Sequence, residues 1–124
     1  MKQTIAVVGA SRDRSKYGNK CVRAYAAEGW QVFPVNPGAD EVEGLTAYST
    51  IHEVPGELQR ISVYLPPKLS DRAIPEIADK GAWEVWFNPG SADAEVLASA
   101  REYGLNVLDG CSIRDIGRAP SEFS

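Results

Sequence analysis

"TIAVVGASRDRSKYGNKCVRAYAAEG", residues 4–29, is the stretch that decides the fold. Its first five residues are short, apolar and mostly β-branched, with no polar alternation. Such a run suits a strand buried on both faces inside a parallel sheet. From Gly18 onward the spacing becomes helical, with Cys21, Val22, Tyr25 and Ala26 on one face and Gly29 placed to end the helix. The connecting loop, "GASRDRSKYG", holds Gly9, Ser11 and Gly18. A strand, a tight loop and a helix in that order bring backbone N–H groups and the positive end of the helix dipole to one place, where a phosphate is favoured. The loop is neither a GxGxxG fingerprint nor a P-loop ending in GK[ST], and the same glycines would also serve a bare tight turn.

The alternation continues through the chain. "WQVFPV" (30–35), "RISVYL" (60–65), "AWEVWF" (82–87) and "LNVLD" (105–109) read as four further strands, each followed by a Gly, Pro or Asn break. Helical spacing covers 70–80 and 92–103, with Gly81 and Gly104 as stops and Pro75 expected to kink or restart the first of these. A short helix is expected over 49–54. Right-handed parallel crossovers cover both faces of such a sheet, so the expectation is an α/β, doubly wound, parallel five-stranded sheet in three layers. With 124 residues the chain supplies one core, read as a single domain over 1–124. Its ligand site should lie beyond the carboxyl ends of the strands, where strand order reverses. That selects the loops "GASRDRSKYG", "VNPGAD", "LPPKLS", "NPGSAD" and "DGCSI".

Composition narrows the function classes. A net charge of -4 and a pI near 5.0 oppose general nucleic-acid binding, which needs a basic surface. No stretch reaches the roughly 20 apolar residues of a membrane span, and "MKQTIAVVGAS" runs into a strand without a signal-peptide cleavage region, so a cytoplasmic protein is expected. Cys21 and Cys111 lie far apart, with one histidine, His52, and suggest neither a disulfide framework nor a zinc site. Charge is uneven: Arg12, Arg14, Lys16, Lys20 and Arg23 stand together with one acid, Asp13, in a chain of 13 basic and 17 acidic residues. That segment could attract a small anion.

"VNPGAD" (35–40) completes the reading from residues. A dinucleotide site usually places an Asp or Glu after the second strand to accept from a ribose hydroxyl, and a carboxylate there would repel a phosphorylated ribose. Asn36 and Pro37 stand at that strand end, and Asp40 is expected to face solvent. The pattern disfavours NAD and permits NADP or coenzyme A.

Together, "IAVVGASRDRSKYG", "VFPVNPGADEVEG", "SVYLPP", "EVWFNPGSADAE" and "GLNVLDGCS" resemble the small stand-alone CoA-binding proteins, which share the fold of the amino-terminal domain of succinyl-CoA synthetase alpha subunits. The resemblance spans about residues 4–113. It implies a Rossmann-like domain holding coenzyme A or an acyl-CoA across the strand ends. The contacts it implies are Gly9, Ala10, Ser11, Arg12, Lys16, Tyr17 and Gly18 in the first loop, Val35, Asn36 and Pro37 in the second, and Tyr64, Leu65, Pro66 and Pro67 in the third. Synthetase domains tend to carry a lysine after the second strand. Here Ala39 and Asp40 occupy that loop, so charge for the phosphates must come from Arg12, Arg14 or Lys16. Asn88 also departs from the family pattern. The synthetase's phosphohistidine and ligase machinery belong to a further domain, so ligase activity is not implied.

Candidate catalytic residues are few. His52 reads as a surface or capping residue on a peripheral helix, and Ser11 as a hydrogen-bond donor to phosphate, because no Asp and His pair accompanies it. Cys111 follows the last strand, where a thiolate could reach a bound CoA, although a buried structural thiol fits equally. Trp83 and Trp86 read as core, and Tyr64 divides between packing and ligand. The expected function is a non-catalytic carrier, sensor or partner of an acyl-CoA enzyme. The alternatives are an NADP-binding module, an enzyme using Cys111 on CoA thioesters or disulfides, and a regulatory domain that binds nothing.

Overall fold

The computed structural model describes residues 2–124. In chain order the elements are β1 (Thr4–Val8), α1 (Tyr17–Ala27), β2 (Gln31–Val35), β3 (Glu41–Val42), β4 (Leu45–Thr46), β5 (Arg60–Val63), α2 (Pro67–Lys80), β6 (Glu84–Phe87), α3 (Ala94–Glu102), β7 (Val107–Asp109) and α4 (Ser112–Asp115). One-turn 3-10 segments add Ile51–Glu53 and Pro120–Phe123. The main sheet is parallel with order β2-β1-β5-β6-β7. This is the doubly wound, Rossmann-like arrangement expected.

The alternating residues of β1 explain the three layers. Ile5 and Val7 pack with Cys21, Val22, Tyr25 and Ile113 on the α1 and α4 side, while Ala6 and Val8 pack with Val63, Ile74, Ile77 and Phe87 on the α2 and α3 side. Both faces are covered, which is why β1 shows no polar alternation. After β2 the chain crosses β1 to begin β5 on its other side. The loops leaving β1 and β5 therefore diverge to opposite faces and open a crevice between them.

Several expectations are corrected. Trp83 is 74% exposed, because β6 starts at Glu84, paired with Arg60, and Trp83 lies past the edge of the covered layers. Trp86 is buried as expected. Ala26 is exposed and Ala24 takes its place in the buried arc of α1. Helix α2 begins at Pro67 rather than 70 and runs through Pro75 as one element. The proline's fixed φ suits a helix, and the carbonyl it leaves without a donor belongs to Asp71, an exposed residue that water can reach. The β3–β4 hairpin adds to the expected elements. It turns on Glu43 and Gly44, both left-handed at φ 52 and 76, the conformation that a tight two-residue hairpin requires.

Candidate functional site

The floor of the crevice is formed by three strand ends at one height, with Val8 in register with Val35 and Val63. Gly9 N–H donates to the Val35 carbonyl at 3.2 Å, and Tyr64 N–H donates to the Val8 carbonyl at 2.8 Å. Gly9 has φ 89, and a Cβ there would overlap the Tyr64 carbonyl. A Cβ on Gly18 would in turn overlap the Gly9 carbonyl. The two glycines thus serve close backbone approach, and that approach sets the first turn of α1 beside the end of β1. Lys16 is the N-cap of α1 and gives that turn no side-chain hydrogen bond. The first N–H groups of the helix are left for water or a ligand, with the positive dipole end behind them.

The loop is held in shape by its own hydrogen bonds. Asp13 N–H donates to Ser11 Oγ at 3.0 Å, and Asp13 accepts from Ser15 Oγ at 2.7 Å and Ser15 N–H at 3.0 Å. Those two bonds from Ser15 hold the Asp13 carboxyl below its ordinary pKa. Ser11 Oγ is an acceptor here, so its hydroxyl proton is free to be donated. Asn36 ties the second loop to the first: its Nδ2 donates to the Ala10 carbonyl at 2.8 Å, and its Oδ1 accepts from Gly38 N–H at 2.7 Å. An aspartate could not make the first of these bonds. The missing acid of "VNPGAD" therefore has a structural cause in addition to any ligand's charge.

Above this floor lies a cleft of about 560 Å³. Of the residues singled out in the sequence, Gly9, Ala10, Ser11, Lys16, Val35, Asn36, Pro37, Tyr64 and Leu65 line it. A second lobe shares Gly9, Lys16, Tyr64 and Leu65 and continues past Tyr17, Gly18, Pro66 and Pro67 to Pro89, Gly90 and Ser91. Tyr17 and Leu69, two large apolar side chains with most or nearly half of their surface exposed, lie along these lobes. Exposed apolar groups beside a cleft mark a surface suited to a partly apolar ligand.

Arg12 is the exception. It lines a separate hollow with Asp40, Glu41, Glu43 and Gly44, an acidic neighbourhood outside the cleft. The rest of the basic run is dispersed as well. Arg14 pairs with Glu43 at 3.4 Å, Lys20 lies 5.2 Å from the Tyr17 ring centre, and Arg23 bonds to Asn19 Oδ1 at 2.7 Å and to the Arg14 carbonyl at 2.8 Å. Of the five, only Lys16 lines the cleft. The sequence reading missed Ser49, Thr50, Arg72, Ala73 and Glu76, which complete the wall. Their signal was the spacing of Leu69, Arg72, Ala73 and Glu76 along one side of the helix that follows β5.

Beneath the floor is a closed polar network. Ser62 and Ser112 hydroxyls lie 2.7 Å apart, Asn88 Nδ2 donates to Ser62 Oγ at 2.8 Å, and Ser112 N–H donates to Asn88 Oδ1 at 2.8 Å. Asn88 is thus a buried bracket between β5, β6 and the start of α4. The Tyr64 hydroxyl reaches Ser112 Oγ at 3.4 Å, and burial pushes its pKa above the ordinary phenol range. Tyr64 has its hydroxyl in the network and also lines the cleft. Burial also pushes the Cys21 thiol up to about 11 and the Tyr25 phenol up to about 12. Cys111 is half-buried against the α1-side core and lines neither lobe. His52 is exposed and sits 2.9 Å from Asp79.

The family described as CoA binding domain matches residues 3–116. The chain belongs to this family. The alpha subunit of ADP-forming acetate–CoA ligase II from Pyrococcus furiosus is 30% identical over an alignment 117 residues long that covers 84% of this chain and 25% of that subunit. YneT, an uncharacterised Bacillus subtilis protein, is 27% identical over 104 residues, covering 84% of this chain and 77% of that protein. A solved structure of a conserved hypothetical protein from Pyrococcus furiosus superposes with a TM-score of 0.83 at 30% identity, covering 93% of this chain and 99% of that one. This CoA binding domain therefore spans about a quarter of the ligase subunit and most of two smaller proteins. Membership of the family supports coenzyme A as its ligand. Among the described residues no helix is long and apolar enough to cross a membrane.

Proposed function

We propose that the chain is a coenzyme A or acyl-CoA binding module with no chemistry of its own, acting in the cytoplasm as a carrier, sensor or partner of an acyl-CoA enzyme. The observation that carries this reading is the placement of Lys16 and the uncapped start of α1 against the strand ends, between two partly apolar lobes. The donor set fits the ligand. Lys16, Ser11 and the first turn of α1 suit a pyrophosphate. The lobe past Tyr17, Pro66, Pro67 and Pro89 suits an uncharged pantetheine arm. Gly9, Ala10, Gly18, Val35, Asn36, Pro37, Tyr64 and Leu65 form the surface between them. Arg12 has no part in this reading, because it lines the acidic hollow of the hairpin.

Among the described residues no cysteine or histidine lines the cleft, and both thiols, Cys21 and Cys111, are free and set apart from it. Incubating the protein with stoichiometric acetyl-CoA tests the non-catalytic role. The thioester should be recovered intact, with no mass added at Cys111. Turnover of the thioester, or a stoichiometric adduct at Cys111, would contradict it.

A further inference from the structure

Coenzyme A carries anionic charge in two places, the pyrophosphate and the phosphate monoester on the ribose. A site that selects it needs cationic groups in two places. Among the described residues two basic side chains line the cleft, Lys16 at the start of α1 and Arg72 in the second turn of α2. Those helices pack on opposite faces of the sheet, so the two charges reach the cleft from opposite sides. Lys16 stands beside Gly9, Ala10 and Ser11, where a pyrophosphate meets the helix start. The loop after β2 offers Pro37, Gly38, Ala39 and Asp40, and no cation.

Arg72 is also uncommitted. Among the described residues it forms no ion pair and no side-chain hydrogen bond. Arg14, Arg23, Arg60 and Arg118 each have such partners. Glu76, the one acid on the cleft wall among the described residues, lies four residues beyond Arg72, with arginine on the amino-terminal side, which is the weaker order for a helical pair. Ser49 and Thr50, which line the same cleft, add hydroxyl groups of the kind that accompany a phosphate.

On the reading that the cleft holds coenzyme A, we infer that Arg72 is its specificity-determining residue, binding the ribose phosphate while Lys16 serves the pyrophosphate. A guanidinium suits this task because its planar fork can donate two parallel hydrogen bonds to one phosphate. The reading also accounts for a second loop without a lysine: the charge comes from α2 instead.

Calorimetric titration with CoA and dephospho-CoA tests this on wild type, Arg72→Ala, Arg72→Lys and Lys16→Ala, with circular dichroism to establish that each variant is folded. Wild type should prefer CoA by about ten-fold, the worth of one charge-assisted phosphate contact. Arg72→Ala should abolish that preference by weakening CoA alone, Arg72→Lys should keep part of it, and Lys16→Ala should weaken both ligands together. Retention of the full preference by Arg72→Ala, or an equal loss for the two ligands, would overturn the assignment of Arg72 while leaving CoA binding in place. If wild type bound neither ligand, the CoA reading would fall and this inference with it.

Discussion

Arg60 and Arg72 are similar side chains in opposite circumstances. Arg60, at the amino end of β5, bonds to Glu84 at 2.9 Å, Asp115 at 2.7 Å and the Tyr25 hydroxyl at 3.0 Å, and its guanidinium lies 5.1 and 5.2 Å from the Trp30 and Trp86 ring centres. Arg72, beyond the carboxyl end of the same strand, has none of these partners and borders a cleft. Lys16 shares its situation. Polar groups at the amino end, and in the Ser62, Asn88 and Ser112 network, are satisfied by the protein and contribute to stability. Lys16 and Arg72, at the carboxyl end, have no ion-pair or side-chain hydrogen-bond partner among the described residues, which suits binding. The difference separates residues whose loss should lower stability from residues whose loss should lower affinity.

The largest effect should come from the backbone that joins the two behaviours. Gly9→Ala forces a left-handed residue against the Tyr64 carbonyl and should cost roughly 3–4 kcal/mol, combining left-handed strain with overpacking. Urea unfolding measures this. A cost below about 1 kcal/mol would show that the loop does not depend on that contact.

Next, Arg60→Ala should destabilise by about 3 kcal/mol, since it leaves Glu84, Asp115 and Tyr25 without their shared partner. Arg72→Ala should stay within about 0.5 kcal/mol of wild type, as an exposed residue without partners. Paired unfolding and titration data on the two variants would break the comparison if both lost stability equally.

Asn36→Asp should cost about 1–2 kcal/mol, because a carboxylate would replace the donor to the Ala10 carbonyl. It should weaken CoA more than dephospho-CoA through added negative charge. Thermal unfolding without ligand separates the structural part from the electrostatic part.

The smallest effect concerns pH. Ser15 holds Asp13 below its ordinary 3.8, so the stability this pair contributes is present above that pH and is lost as pH falls below it. Ser15→Ala removes the hydroxyl bond and keeps the backbone N–H bond, so the Asp13 titration, followed by carboxyl NMR shifts, should move up part of the way toward 3.8. An unchanged midpoint would mean that the loop is held by other contacts.

Much of the fold was legible because parallel strands buried on both faces leave unbroken apolar runs. The ends of those runs were not. Tyr64, Leu65 and Trp83 continue the apolar pattern but fall where strand pairing stops, which only the neighbouring strands decide. The hairpin was hidden because its strands are two residues long and its turn puts Glu43, a poor left-handed residue, at the tip. In the site, the glycine loop and the "VNPG" end could be read because backbone geometry restricts which residues fit there. The partners of the cations could not. Arg14 is engaged by Glu43 from the unseen hairpin and Arg23 by Arg14 and Asn19, while Arg72 reaches the cleft only through the packing of α2 on the sheet.

The most direct measurement is the midpoint of thermal unfolding with CoA, dephospho-CoA, NAD and NADP, each at about 100 times a micromolar dissociation constant. Binding to the folded state at that ratio adds roughly 2.7 kcal/mol, which for a domain of this size is a rise of several degrees. The expected result is the largest rise with CoA, a smaller one with dephospho-CoA, and little or none with NAD or NADP. A rise with NADP or NAD and none with CoA would contradict the account.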